Sequence, residues 1–290
     1  MRTISPVAFV AALMLSSSIG ASAPVASLPN EQQYAIPEVP RQVQRFEMST
    51  RGTLVVEPDG RVSEVELDMP PSTREIYRAA MATWRFKPVQ IDGRTVRAKA
   101  HFLLEATGER LAGSDQVKLG VESIVFIDPP SHERANGERA PRNDMRPPSY
   151  PMTPAREGFG AKVMLMVRVD AEGHVVGAGV HSLALAVDDI QHRARAIAFA
   201  KQFASASMRA ARGWRFRDPG VIASGIALVP VQYTPPGRAH SGWQPRIPVE
   251  VTPLPWMTMS IEGAVAMTPL GEAASSSFQL IDDVAGTSVN

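Results

Sequence analysis

The side chains able to do chemistry are few and scattered. Six histidines, His101, His132, His174, His181, His192 and His240, are the groups whose ordinary titration lies near neutrality. None falls in an HExxH or comparable ligand spacing, and His174 and His181 lie on the two sides of an expected strand pair. Scattered surface histidines account for them better than a metal centre, so no metal is expected. Cysteine is absent, which excludes disulfides, thiolate ligands, cysteine nucleophiles and a lipidated N-terminal cysteine. No Gly-x-Ser-x-Gly elbow, phosphate loop or dinucleotide fingerprint occurs. The run Val-Gly-Ala-Gly-Val at 176–180 lacks the third glycine and the following helix of a cofactor loop. Neither catalysis nor a cofactor is expected; an enzyme with a site built between two halves of the chain remains an alternative.

The chain has 290 residues with 44% hydrophobic content, enough for one large domain or two ordinary ones. A formal net charge of +1 gives no global case for nucleic acid or an anionic membrane surface. The N-terminus is more informative. Arg2 is followed by an uncharged stretch up to Glu31, with an apolar run from Pro6 to Leu15 and then the Ala21-Ser22-Ala23 string. That is the layout of a secretory signal peptide over residues 1–23, and its apolar part is well short of the ~20 residues a spanning helix needs. Pro24 directly after Ala23 makes Ala21 an alternative cut site. Cleavage implies an exported, periplasmic protein; an uncleaved segment would instead anchor the chain in the inner membrane, facing the periplasm.

Stepping from these residues to the elements that carry them, the chain holds an internal repeat. The first copy opens with "RGTLVVEPDGRVSEVELD", 51–68, two apolar runs about a Pro58-Asp59-Gly60 turn, which reads as a β-hairpin. Ser72 and Glu75 have capping-box spacing for the start of a helix, and Tyr77, Ala80, Met81 and Trp84 form its apolar stripe. Trp84-Arg85-Phe86 and Pro88 follow, then a strand over Thr95–Leu104. The second copy has Val163, Leu165, Val167 and Val169 at period two, a turn at Glu172-Gly173, and a helical region from Ala186 to Arg212. Its expected stripe is Ile190, Ala194, Ile197, Ala200, Ala204, Met208 and Ala211. Trp214-Arg215-Phe216 and Pro219 then lead to a strand over Ile222–Tyr233. Each Trp fills the corner between helix and sheet, the Arg points elsewhere, and the proline stops the helix. The expected fold class is therefore α+β: two small units, each a hairpin, a helix and a third strand, with the helix on one face of an antiparallel sheet.

Three features of the second copy carry a family resemblance: "RPPSYP" with Tyr150-Pro151, "VRVDAEGHV" at the hairpin, and "GWRFRDP" at the helix exit. The first copy adds "VEPDGRV", "TWRFKP" and "IDGRTV". Each copy resembles the C-terminal domain of the TonB family of periplasmic energy transducers, over 35–107 and 147–236. The resemblance makes Tyr150, Pro151, Trp84, Arg85, Phe86, Trp214, Arg215 and Phe216 family motif residues of mainly structural role. It implies binding by strand addition, in which a short segment of a protein partner, such as an outer-membrane receptor, pairs with the last strand. The residues then expected to line the edge are Ile222, Ser224, Ile226, Ala227, Leu228, Val229, Val231 and Tyr233 in the second unit. In the first, degenerate unit they are Val96, Ala98, Ala100 and Phe102. Pro230 interrupts the former strand, so either it faces solvent or the peptide ladder breaks there; edge protection is the competing reading.

The chain also departs from that family. No Ser-x-x-x-His pattern occurs near the N-terminus, since Ser5 is followed four residues later by Phe9 and Ser16 by Gly20. The long proline-rich spacer is missing, and Ile36-Pro37 stands where a Tyr-Pro is expected in the first unit. Passive binding in the envelope is thus preferred to energy transduction by an anchored protein, with transport linkage and dimer formation left open. Residues 108–146 read as a linker rich in mixed charge. The tail, 237–290, reads as partly disordered, with an edge strand or docking segment around Trp256.

Overall fold

The computed structural model describes residues 31–37, 43–111, 113–127, 143–190, 192–235, 237, 242–258, 264–267, 278, 280–281 and 287–289. The expected signal peptide, and residues 112 and 128–142 of the expected linker, lie outside the described residues. The fold is mixed α+β and dominated by strands. The first half contains β2 (Val43–Val56), β3 (Val62–Leu67), α1 (Pro71–Met81), the short pair β4 (Gln90–Ile91) and β5 (Arg94–Thr95), β6 (Ala98–Leu111) and β7 (Val117–Ile127), after the two-residue β1 (Tyr34–Ala35). The second contains α2 (Met152–Arg156), β8 (Gly160–Val169), β9 (Val175–Ala186), α3 (Arg193–Ala211), α4 (Pro219–Ser224) and β10 (Ile226–Tyr233). Beyond these lie β11 (Gln244–Pro245), β12 (Ile247–Val251), α5 (Pro255–Thr258), β13 (Val265–Ala266) and β14 (Thr287–Ser288).

Two six-stranded sheets result. In the first, β3, β2 and β6 stand side by side; in the second, β9, β8 and β10 do, so each copy places its opening strand between the other two. The local reasons match as well. Gly60 (φ 82°) and Gly173 (φ 84°) close the two hairpins. A side chain at either would meet a carbonyl oxygen, that of Phe86 at 2.1 Å or of Phe216 at 2.0 Å. The repeated Trp-Arg-Phe string is what lies there. Phe86 N–H donates to the Gly60 carbonyl at 2.9 Å, and Phe216 N–H to the Gly173 carbonyl at 2.7 Å. Trp84 and Phe86 are 5% and 1% exposed, Trp214 and Phe216 3% and 1%, while Arg85 and Arg215 between them face outward. The string therefore ends the helix, buries two rings and ties the helix exit to the hairpin turn through the backbone.

Several boundaries differ from expectation. Neither sheet is three-stranded. The expected linker 108–146 contains the end of β6, all of β7, and a segment in which Asp144 pairs both ways with Arg215. Leu119 and Val121 face the first core, and a bulge at Glu122 brings Phe126 back to the same face, which seats β7 there. Helix α1 begins after Pro70 with no side-chain cap, so Ser72 and Glu75 form no capping box; proline at its first position pre-sets the backbone instead. The second helix begins at Arg193, because β9 runs on to Ala186. Its buried face is Ala196, Phe199, Ala200, Phe203, Ala204, Ser207 and Ala211. Ala194 is exposed and Ile197 and Met208 are half-buried, since the two phenylalanines, with far more apolar area than alanine, set the rotation.

The tail is structured where described. Gln244–Val251 runs from one sheet to the other, β11 on β2 and β12 on β9, and β1 adds outside β12. Phe278 and Leu280 pack on the first core, and β14 pairs with β7. The expected disorder of the last stretch thus does not hold for these residues. Backbone pairing and burial of a few large side chains hold them where composition alone argues for a free tail.

Candidate functional site

The edges of the expected binding strands have very different surroundings. On β6, Ala98 and Ala100 pair with Val56 and Leu54 of β2, and from His101 to Arg110 the other side pairs with β7. Phe102 sits between Gly52 and Phe126. Val96 lies outside the strand, between β5 and β6. So β6 is an interior strand over most of its length, and the expected edge of the first unit is occupied by the chain itself.

On the second sheet, Ile222 and Ser224 are not on a strand. They lie in α4, which Asp218 caps by accepting from the N–H groups of Gly220 and Val221, and which ends at Gly225 in the left-handed conformation (φ 71°). Asp-Pro before and Gly after are the ordinary start and stop of a short helix. Ile226, Ala227, Leu228, Val229, Val231 and Tyr233 do lie on β10, paired with β8 from Ile226↔Arg168 to Tyr233↔Ala161. On its outer side the described residues place only β13, parallel and two residues long, with Ala227↔Val265 and Leu228↔Ala266. Met267 N–H donates to the Leu228 carbonyl at 2.8 Å, so the backbone of Leu228 faces outward. With period two, Pro230 and Gln232 face the same way. Pro230 therefore spares the β8 ladder and leaves a gap in the outer one.

The motif residues Tyr150 and Pro151 sit against the same sheet. The Tyr150 hydroxyl donates to the Phe159 carbonyl at 2.7 Å, and its ring meets Phe203 and Tyr233 edge-on. Pro151 caps α2. The Trp214 indole N–H donates to the Arg146 carbonyl at 2.8 Å. These contacts are structural, positioning α3 and β10 relative to the segment before them.

Sequence reading missed a charged cluster between the sheets. Lys162 projects from the face of β8 opposite α3. Its Nζ lies 3.2 Å from Glu47 on β2, 3.1 Å from Glu105 on β6 and 3.5 Å from Glu122 on β7. Arg246, between β11 and β12, reaches Glu47 at 3.2 Å, and Ser49 donates to Glu105. Glu122 is the extra residue of a bulge, because Glu105 pairs with Ser123 and Ala106 with Val121. Burial alone would lower the Lys162 pKa, but the three carboxylates outweigh it and hold the ammonium protonated far into the alkaline range. A locked ammonium is neither a nucleophile nor a base at neutral pH. Partial desolvation where the sheets meet raises the half-exposed Glu122 carboxyl above its ordinary range, and Glu47 and Glu105 push the same way against the pull of Lys162.

A carboxyl whose folded pKa is raised favours folding as pH falls through that value toward the unfolded one, and opposes it when charged at neutral pH. Glu122→Gln is expected to raise the urea midpoint at pH 7, with the gain vanishing near pH 4. An equal gain at both pH values would rule out charge as the cause.

Among the described residues no group of three or more His, Asp or Glu could hold a metal, and no helix is long and apolar enough to cross a membrane. His174 lies 3.6 Å from Asp170 at the hairpin turn, and His181 is the extra residue of a bulge opposite Met164 and Leu165. Comparison with protein families, curated proteins and solved structures finds no match for this chain.

Proposed function

We propose that this protein is an exported, periplasmic binding protein of two TonB-C-like units that takes a protein partner by strand addition at the outer edge of β10. The observation that carries the reading is the contrast between the two equivalent strands. On β6 the outer side is paired over ten residues from His101 to Arg110, whereas on β10, among the described residues, it is met by β13 at Ala227 and Leu228 alone. A two-residue parallel pair is a weak cover for a strand edge. Strand order, hairpin glycines and the docked Trp-Arg-Phe strings recur in both halves, which supports reading them as one unit used twice, with the second as the binding copy. The three carboxylates around Lys162 favour its charged form, which supports a structural rather than a catalytic reading of that amine.

The partner segment displaces β13 and pairs with Leu228 and Gln232, passing over the gap at Pro230. A cysteine-free chain permits a direct test. Leu228→Cys with Ala266→Cys places two thiols on directly opposed residues, where the strand spacing of about 4.8 Å lies inside the range a disulfide bridges. Oxidised, this variant should lose capture of peptides tiled from the periplasmic segments of outer-membrane receptors; reduced, it should regain it. Equal capture by the two forms would place binding elsewhere, and capture by neither the wild type nor the reduced variant would remove strand addition as the function.

A further inference from the structure

Beside α3, on the helix side of the second sheet and away from the β10 edge, lies a half-open cleft of about 630 Å³. One wall is the segment Arg146–Pro151, in which three of six residues are proline; the other is the exposed flank of α3. Its polar lining is Arg146, Ser149, Lys201, Gln202, Ser205 and Arg209, with no acidic residue among the described residues. None of the three cations has a carboxylate partner among the described residues. In a chain of net charge +1, that is a local excess of positive charge. Lys201, Ser205 and Arg209 follow one another at four-residue intervals, so they form a row about 12 Å long on one side of the helix.

The proline wall is held in place before any ligand arrives. Asp144 pairs with Arg215 just ahead of it, Trp214 Nε1 donates to the Arg146 carbonyl, and the Tyr150 hydroxyl is fixed on Phe159. A preformed cleft avoids much of the ordering cost of binding. Prolines 147, 148 and 151 offer no N–H, so this wall cannot extend a sheet, and recognition here must run through side chains. Lys and Arg suit carboxylates. The Gln202 carboxamide donates and accepts at once and, with the two serines, matches peptide groups rather than a bare anion. The lining contains no large apolar side chain to enter a bilayer.

We propose that this cleft binds an acidic, extended peptide segment of a protein partner, with Lys201 and Arg209 taking carboxylates about four residues apart. The site does not depend on strand addition at β10.

The test uses the full mature chain and a fluorescent hexaglutamate peptide carrying a photo-crosslinker, at an ionic strength of about 20 mM to limit screening. Binding should be followed by crosslinks within 146–151 or 201–213. Lys201→Gln with Arg209→Gln should weaken it about tenfold, Lys201→Arg should retain it, and Arg61→Gln with Arg94→Gln on the other half should leave it unchanged. Absence of binding, crosslinks elsewhere, or equal loss from both pairs of substitutions would overturn the proposal. So would a hexaglutamine peptide binding equally well, or pyrophosphate or phosphatidylglycerol vesicles competing more strongly than the acidic peptide.

Discussion

Lys162→Ala is expected to lower the unfolding free energy by about 3–5 kcal/mol, the range for stripping one partner from a buried ion pair. The lysine side chain is 12% exposed, Glu47 15% and Glu105 10%, so the charges left behind have little access to water. Arg246 stays on Glu47, but Glu105 keeps only Ser49 and Glu122 faces two like charges. The effect is therefore a penalty of uncompensated carboxylates more than the loss of a bond. Two consequences separate these. Adding Glu105→Gln to Lys162→Ala should recover a large part of the loss, a coupling that a double-mutant cycle reads directly. The penalty should also shrink as pH falls through the carboxylate range, because the glutamates then take up protons. Because the Lys162 pKa is raised, its own contribution is complete below the ordinary lysine value and is lost only as pH rises through the raised one. Urea denaturation of the single and double variants at pH 7 and pH 4 measures all three effects. A loss below about 1 kcal/mol at pH 7, the worth of an exposed pair, would mean the cluster is hydrated in solution and does not hold the sheets together.

The second large effect is at the hairpin glycines. Gly173→Ala should cost on the order of 3 kcal/mol, since it adds left-handed backbone strain to a forced displacement of the Phe216 carbonyl. The displaced peptide is the one that fixes Trp214 and Phe216 in the second core, so the clash cannot be relieved by turning a side chain. Gly60→Ala should cost a similar amount through the Phe86 carbonyl. Gly93 provides the comparison. It too has positive φ, 74°, but nothing lies within 4 Å of where its side chain would be. Gly93→Ala should therefore cost only the backbone strain, about 1 kcal/mol. Thermal or urea unfolding of the three variants orders them. Equal losses at all three would show that backbone conformation alone matters and that the Trp-Arg-Phe dock contributes nothing.

Local features are legible in the sequence itself. The Pro-Asp-Gly turn, the strand alternation around Val163–Val169, the stripe of Tyr77 and Met81, and the burial of both Trp-Arg-Phe strings all follow from residues a few positions apart. Where reading failed locally, the signal was present but weighed wrongly. The Asp218-Pro219 start and Gly225 stop mark a helix at 219–224, and the phenylalanines at 199 and 203, not the many alanines, set the face of α3.

Hairpin turns, the helix stripe of Tyr77 and Met81 and the buried Trp-Arg-Phe strings were legible along the chain, because turns, caps and side-chain periods are short-range properties. Which strand neighbours which, and so how each edge is covered among the described residues, follows only from the folded chain. Periodicity says that a face is buried, but backbone donors and acceptors are alike in every residue and do not name their partner. Nothing near Val117 announces β6, nothing near Val265 announces β10, and nothing in five charges at 47, 105, 122, 162 and 246 says that they meet. Folding brings them together through long-range pairing, and among the described residues that pairing covers most of the outer side of β6 but only Ala227 and Leu228 on the outer side of β10.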